Sequence, residues 1–441
     1  VQNAGGTEGG GSGGLGEGGS GGTIQPGGRG GGGGGLDWVR DPAQWEPLPG
    51  EWTEWCVLST KKHLDLDFPV LHWTSCGSAC EKANVLDGVS TFAARASLSR
   101  VQFSGKDAWL ASFAQPWTTL GANGMVLETV RFLDLVSGKT VALVKLEHTH
   151  SGQSTCAPFG AQESPTYVRA GFGAPDDEES KYAIGTLVDP SSGKFVWQQP
   201  WTVAPPESSC PAVTLQEGTR VFFCGRRIKK TEQPDSSRLI TFESLAGRYA
   251  STAVALGDSV LWSELDVAQP GGRVRRWSPG SDVQTVVDSV PGDTCAVATD
   301  GQSVAGLLLD LEWSGACNAN QPNPRFWRAS LDQGSASIEV GPTLAEGRVE
   351  VWPTGWMSIS GDMIAAMINV EDTPVNRSRL VLTRTTDWAT KWFDPPAGQY
   401  FAAQAVSPDY LYYITAKTGG QHGRFSEIVR IDLSKLDFET R

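Results

Sequence analysis

The sequence predicts an all-β chain: a β-propeller of seven four-stranded blades, with eight as the other count its length admits, preceded by an extended glycine-rich N-terminal segment. Three observations carry this. Two kinds of turn landmark alternate from about residue 90 onward, one of them recurs roughly every 50 residues, and glycine is partitioned so unevenly that residues 1–35 stand apart from the rest.

The first landmark is a Gly/Asp turn that opens an apolar strand. It occurs at Gly105-Lys-Asp-Ala-Trp-Leu-Ala, Gly218-Thr-Arg-Val-Phe-Phe, Gly257-Asp-Ser-Val-Leu-Trp, Gly301-Gln-Ser-Val-Ala-Gly, Gly361-Asp-Met-Ile-Ala-Ala and Asp409-Tyr-Leu-Tyr-Tyr-Ile. Runs of β-branched and aromatic residues bounded by such turns read as strands. The second landmark is a hairpin turn that closes a strand. It is clearest at Leu133-Asp-Leu-Val-Ser-Gly-Lys, Leu187-Val-Asp-Pro-Ser-Ser-Gly-Lys and Ile431-Asp-Leu-Ser-Lys, with weaker counterparts near Glu243, Ser278, Leu331 and Thr386. The intervals between these closing turns are 55, 54, 35, 53, 55 and 46 residues. Their mean lies near the period of about 50 residues that kelch-sized blades show, and the 3.6-residue periodicity that helical repeats require is missing.

After Asp432 nine residues remain, too few and too polar to form a last outer strand. An open sheet edge is an aggregation hazard, so another strand is expected to cover it. The best unassigned strand is Phe68-Pro-Val-Leu-His-Trp-Thr74, which places Val70, Leu71 and Trp73 at the ring closure. Intramolecular closure is the default expectation. Supply of that strand by a neighbouring copy is the alternative, and it would turn closure into polymerisation by strand addition.

On these turns and strands, residues 68–441 resemble secreted bacterial seven-bladed β-propellers of the TolB-like or quinoprotein-like kind, including the Gly-tethered, cysteine-containing surface propellers of delta-proteobacteria. The resemblance implies a fold and no reaction. Propellers of this kind serve as binding platforms and scaffolds, and some as hydrolases or lyases.

Upstream of the propeller the chain divides into a tail, residues 1–35, and a docking segment, residues 36–67. The tail holds 20 of the chain's 53 glycines, in runs that include Gly9, Gly10, Gly11, Gly13, Gly14 and Gly30, Gly31, Gly32, Gly33, Gly34 and Gly35. One reading is a flexible tether. The other is an extended polyproline-II conformation, rising about 3.1 Å per residue with every backbone N–H and C=O free to bond a neighbouring chain, so that tails bundle into a fibre core. Irregular interruption by Leu15, Glu17, Thr23, Ile24, Gln25, Pro26 and Arg29 excludes a collagen register. In the docking segment Trp38, Trp45 and Trp52 recur every seven residues, but Pro42, Pro47 and Pro49 forbid a continuous helix. An extended segment with its indoles docked is expected, either on its own body or on a neighbour.

Composition sets the remaining bounds. The 49 acidic and 36 basic residues give a net charge of −13, which disfavours nucleic-acid partners. No apolar run approaches the ~18 residues of a membrane span. The start at Val1-Gln2-Asn3 reads as a mature chain after removal of an export signal. Eight cysteines without zinc-type spacing favour disulfides in an oxidising compartment. The expected pairs are Cys210 with Cys224, Cys295 with Cys317, Cys76 with Cys80 and, by remainder, Cys56 with Cys156. An extracellular or cell-surface location follows.

Candidate chemistry is sparse. His148 and His150 lie two apart and are able to share a strand face, but no nearby Cys or clustered carboxylate completes a metal tetrahedron. Asp176-Asp177-Glu178-Glu179 has no spaced Asp-x-Asp-x-Asp-Gly calcium loop and reads as a solvated loop. Gly301-Gln-Ser303-Val-Ala305 has Ala where a nucleophile elbow needs Gly, and it opens a strand; it is a turn. Metal-protease, P-loop and dinucleotide motifs are missing. Of the 17 tryptophans, Trp197, Trp262, Trp277 and Trp327 are expected in core or half-exposed blade positions.

The expectation is therefore a non-enzymatic, exported structural protein without a cofactor. It would assemble with copies of itself into a fibre through its glycine-rich segment, with the propeller as outer scaffold. The alternative is a surface-tethered propeller that binds glycans or peptides in its axial funnel.

Overall fold

The computed structural model describes residues 46–47, 56–61, 70–84, 95–103, 106–116, 125–149, 157–160, 167–172, 181–189, 194–201 and most of 210–438. The chain separates into Val1–Gly35 and Leu36–Arg441, and every described residue lies in the second unit.

That unit is an all-β propeller, with no α-helix among the described residues and one 3-10 turn at Leu433–Lys435. Its strands form antiparallel sheets, numbered here in chain order and given from inner to outer strand. Sheet 1 comprises Arg95–Phe103, Lys106–Pro116, Met125–Asp134 and Thr140–Thr149. Sheet 2 comprises Ala157–Gly160, Tyr167–Phe172, Lys181–Asp189 and Lys194–Trp201. Sheet 3 runs Ala212–Thr214, Arg220–Cys224, Arg227–Thr231, Leu239–Ser244, and sheet 4 runs Arg248–Leu256, Ser259–Asp266, Gly272–Trp277, Gln284–Val290. Sheet 5 has Asp293–Thr299, Ser303–Leu309, Arg325–Ser330 and Ile338–Thr343. Sheet 6 has Met357–Ser360, Met363–Val370, Arg377–Arg384 and Ala389–Phe393, and its second strand also pairs with Arg348–Glu350.

These six sheets are each completed by strands that follow one another along the chain. The last, sheet 7, is a composite. Gln399–Val406, Tyr410–Lys417 and Glu427–Asp432 supply three strands, and Cys80–Asn84 supplies the fourth. The chain thus completes six blades in sequence, one fewer than the seven expected, and the remaining sheet is assembled from both of its ends. First strands of successive sheets pack on one another from sheet 4 through 5, 6 and 7 to sheet 1, which places the ring axis on their side.

The closing strand is a correction to the sequence reading. Residues 70–73, with Val70, Leu71 and Trp73, lie outside any strand, and the partner of Glu427–Asp432 is Cys80–Asn84, in register Ile428↔Ala83 and Arg430↔Glu81. The physical reason lies in its side chains: Lys82 Nζ bonds Glu427 Oε1 at 3.0 Å, and Arg430 Nε and Nη2 reach Glu81 Oε2, each at 2.7 Å.

A second correction concerns the landmark at Glu243. It falls inside the outermost strand of sheet 3, whereas the third strand of that sheet ends at Thr231. The other closing turns coincide with third-strand ends at Asp134, Asp189, Trp277, Ser330, Arg384 and Asp432. The opening landmarks are the inner hairpins, and Gly218, Gly257, Gly301 and Gly361 there have positive φ, a conformation that favours glycine.

Part of the segment expected to dock is itself sheet. Cys56–Lys61 pairs with Thr140–Thr149 as a fifth strand on the outer edge of sheet 1, and Glu46–Pro47 pairs with it in turn.

Candidate functional site at the two ends of the ring

Antiparallel order puts every inner hairpin at one end of the propeller and every turn between second and third strands at the other. The inner-hairpin end carries an acidic residue at each of six sheets: Asp107, Glu217, Asp258, Asp300, Asp362 and Asp409. Asp107, Glu217, Asp258 and Asp409 are exposed. Outer turns at this end add Asp134, Glu232, Asp282, Asp387 and Asp432. Some are neutralised: Arg384 Nη2 lies 2.7 Å from Asp387 Oδ2, and Lys435 Nζ 2.8 Å from Asp432 Oδ2. These partners hold both carboxyls below their ordinary range, through hydrogen bonds from Arg384 to Asp387 and from Lys435 and Ser434 to Asp432.

Closer to the axis the same end is laced shut. Arg100, on the inner strand of sheet 1, donates from Nη1 to the Thr299 carbonyl at 2.9 Å and from Nη2 to the Asp300 carbonyl at 2.6 Å. Sheets 1 and 5 are not neighbours in the packing order, so this single side chain spans the axis. Asp107 Oδ1 fixes the guanidinium at 2.6 Å. The Asp300 carboxylate accepts the amides of Gln302, Ser303 and Gly361, which ties the inner hairpin of sheet 5 to that of sheet 6. Ser358 Oγ donates to Gln404 Oε1 and accepts from the Val406 amide, joining sheets 6 and 7, and Trp109 Nε1 donates to the Val406 carbonyl, joining sheets 1 and 7. The Arg100 bonds to main-chain oxygens are charge-assisted, hence strong and directional, and hold sheets 1 and 5 together across the axis.

The opposite end is basic where sheets 3 and 4 meet. Gly225-Arg226 forms the second turn of sheet 3, with Gly225 at φ 63°. Arg226 and Arg227 are exposed, and the Arg226 guanidinium lies 4.9 Å from the Tyr249 ring centre. Below them the fully buried Glu264 carboxylate accepts from Trp262 Nε1 at 3.0 Å and from Arg273 Nε at 2.5 Å, with Arg275 Nη1 4.0 Å away. Arg248 pairs with Asp266 at 3.3 Å. One carboxylate against two guanidiniums leaves a local positive excess, to which Arg226 and Arg227 add.

The closure between sheets 7 and 1 is apolar by contrast. Leu71 is buried among Trp109, Leu135, Ala403 and Tyr412, its amide bonded to the Gly138 carbonyl at 2.9 Å. Trp73 packs against this cluster, with the Arg430 guanidinium 4.1 Å from its ring centre and 4.7 Å from that of Tyr410. Leu71 and Trp73 thus act as a wedge at the closure, while Val70 is 53% exposed. Burial pushes the Tyr412 phenol up to about 12 and lowers the Arg131 guanidinium to about 10.

Two disulfides lie among the described residues, Cys76–Cys80 and Cys210–Cys224. Cys295 with Cys317 and Cys56 with Cys156 involve side chains outside them. Gly9, Gly10, Gly11, Gly13, Gly14 and Gly30 to Gly35, together with Trp38, Trp45 and Trp52, also lie outside, as do His150 and Asp176 to Glu179. Trp262, Trp277 and Trp327 are buried, the first and last completely. Ser303 Oγ is engaged by Arg328 Nε and Nη2, as a turn residue would be. No group of three His, Cys, Asp or Glu side chains suited to a metal occurs among the described residues, nor is any helix there long and apolar enough to cross a membrane. Sequence reasoning missed Arg100, Asp300 and Glu264. The recurrent acid at each opening landmark was the available signal for the axial end.

No protein-family profile matches the chain, and no curated protein sequence does. Solved structures with similar backbones include the β-propeller domain of the Trilobed protease from Pyrococcus furiosus, described as having an open velcro topology (12% identity, 79% of this chain and 96% of that one, TM-score 0.39). Others are polysaccharide lyase Uly1 (12% identity, 76% and 89%, TM-score 0.39) and a putative TolB from Agrobacterium tumefaciens (12% identity, 56% and 83%, TM-score 0.33). Likeness at this level carries no functional argument.

Proposed function

We propose that this chain is an exported structural protein that assembles with copies of itself into an extracellular fibre through its glycine-rich N-terminal segment. The propeller forms the outer scaffold. The supporting observation is how the N-terminal part of the chain is used: Cys56–Lys61 and Cys80–Asn84 each extend a sheet edge by backbone pairing. Strand addition of this kind works equally between chains. The tail of residues 1–35 extends the same principle to neighbouring copies. The carboxylates nearest the axis have structural tasks: Asp107 holds Arg100, and Asp300 caps two turns.

The test is electron microscopy of negatively stained full-length and 36–441 chains. Fibres from the first and folded, unassembled propellers from the second are expected; polymer from the shortened chain would refute the role of the tail. The second reading is a surface-tethered propeller that takes glycans or peptides in its axial funnel. Binding to a glycan array would favour it.

A further inference from the structure

We infer that the Cys76–Cys80 disulfide is a redox clasp on the ring: a dithiol that reduces it frees the Cys80–Asn84 strand from sheet 7 and opens the closure. This goes beyond the assembly reading and does not depend on it.

The clasp sits at the tip of the hairpin that carries the closing strand. Thr74–Ser75 pairs back on that strand, Thr74 opposite Lys82 and Ser75 opposite Glu81, and the disulfide joins the two arms where they turn. Inside the loop the Cys76 amide donates to the Cys80 carbonyl at 2.9 Å, and Ser75 Oγ donates to the Gly77 carbonyl at 3.2 Å. The Ala79 carbonyl accepts the Asp432 amide at 2.8 Å, and Cys80 itself stands opposite Ile431. The crosslinked residue is therefore also the first paired residue of the closure.

Little else shapes this strand before it docks. Of its five residues only Ala83 is buried. The Lys82–Glu427 ion pair is 44% and 49% exposed, and Glu81, the partner of Arg430, is 41% exposed, settings in which such pairs contribute little. An isolated hairpin of this size is marginal in water. By restricting the unpaired hairpin, the disulfide favours the docked state. Cys210–Cys224 has no such leverage over the ring. It ties the arms of the first hairpin of sheet 3, Ala212–Thr214 and Arg220–Cys224, whose strands follow one another along the chain. The closing strand meets Glu427–Asp432 from the far end of the chain.

Cys76 is exposed and Cys80 half-buried, so an incoming thiolate reaches the Cys76 sulfur. A bond forms there, the Cys76–Cys80 bond breaks, and Cys80 leaves as a thiolate that takes up a proton. The second thiol of the reagent then displaces Cys76, which is protonated in turn. The dithiol ends as a cyclic disulfide, having given two electrons and two protons to the protein. Without its clasp the strand leaves, and the backbone groups of Glu427–Asp432 face water.

The experiment treats the full-length protein with dithiothreitol, scores each cysteine by alkylation and mass spectrometry, and follows hydrogen–deuterium exchange. Once Cys76 and Cys80 are reduced, exchange at the amides of Glu427–Asp432 should rise about tenfold or more, while Met363–Val370 in sheet 6 stays protected. Cys76→Ser with Cys80→Ser should exchange fast at those amides from the start and ignore the reagent. Cys210→Ser with Cys224→Ser should respond as the unaltered protein does. The response of the unaltered protein requires no variant, so a variant that fails to fold leaves the test intact. Slow exchange after both cysteines are alkylated overturns the inference. So does an acceleration that spreads equally to sheet 6, or one that persists in the Cys76/Cys80 variant. Loss of the response in the Cys210/Cys224 variant would place the clasp in sheet 3 and overturn it as well.

Discussion

Between sheets 7 and 1 the buried side chains are mostly aliphatic or small, with Leu71, Leu98, Ala111, Leu133, Ala405 and Ile414 in one cluster. Between sheets 3 and 4 an aliphatic core of Val213, Leu215, Val221, Ile228 and Val260 is joined by aromatic and charged groups, with Phe223 and Trp262 at 5.9 Å and Glu264 of sheet 4 buried against Arg273. The covalent layout explains the contrast. Sheets 3 and 4 are joined by the three-residue turn 245–247, so their separation is held whatever the side chains do. Sheets 7 and 1 bring together parts of the chain some 300 residues apart, as in the Trp109–Val406 bond, and they are held by side-chain contacts, the Leu71–Gly138 main-chain bond and the pairing of Cys80–Asn84. A buried ion pair is a poor closure, because each opening would face the desolvation penalty again on reclosing. Apolar burial has no such geometric demand and tolerates breathing. The continuous junction is therefore specified by polar geometry, and the junction between chain ends by area.

The largest effect should come from the polar junction. Glu264→Ala removes the acceptor of Trp262 Nε1 and Arg273 Nε and leaves two largely buried guanidiniums facing each other. Breaking a buried pair on one side costs about 3–5 kcal/mol, to be read from the urea midpoint at constant slope. At the closure, Leu71→Ala should cost about 2 kcal/mol, the low end for a buried leucine, since its site is at the rim of the cluster. Gly138→Ala, at φ 71° and with a new Cβ 3.2 Å from the Leu71 amide, should cost about 1 kcal/mol or slightly more. The pair should be less than additive with each other, because both loosen one wedge, yet additive with Glu264→Ala. Equal costs at the two junctions, or coupling between them, would break the contrast drawn here.

The contrast also marks what the sequence discloses. Turn chemistry is local, so the inner hairpins at Gly218, Gly257, Gly301 and Gly361 and the closing turns at Asp134, Ser278 and Thr386 are readable from a few residues each. The slip at Glu243 has the same origin. The connection after Thr231 has no Gly-Lys closing signature, and the next turn signal, Leu245-Ala-Gly, belongs to the step between sheets. The closing strand was misplaced because Phe68 to Thr74 has the apolar composition of a strand, whereas Cys80-Glu-Lys-Ala-Asn84 has almost none. Its fitness lies in partners 345 and 349 residues away, Glu427 and Arg430. Arg100 was illegible for the same reason: its acceptors are carbonyl oxygens, which every residue has, and only the ring brings those of Thr299 and Asp300 within reach.

The smallest effect, absent at neutral pH, separates the junctions by titration. Tyr412 is buried at the closure and its phenol is pushed up to about 12, with desolvation as the leading cause; Tyr413, on the opposite face of the same strand, is also raised. A phenol with a raised folded-state value keeps its proton longer in the fold than in the unfolded chain, where it ionises near 10. Its contribution is complete below pH 10 and is lost as pH rises toward 12. The melting temperature should therefore fall across that window in the unaltered protein and fall less steeply in Tyr412→Phe, whatever constant offset the loss of the Ser407 hydrogen bond adds. Phenylalanine forms no phenolate, so it removes the ionisation while it preserves the ring that faces Trp73 and Tyr410. Lysine deprotonation is common to both proteins and cancels in the difference. Curves that run parallel from pH 8 to 12 would mean that the closure is already open, or its phenol hydrated, before the base acts, and the apolar seal between the chain ends would have to be abandoned.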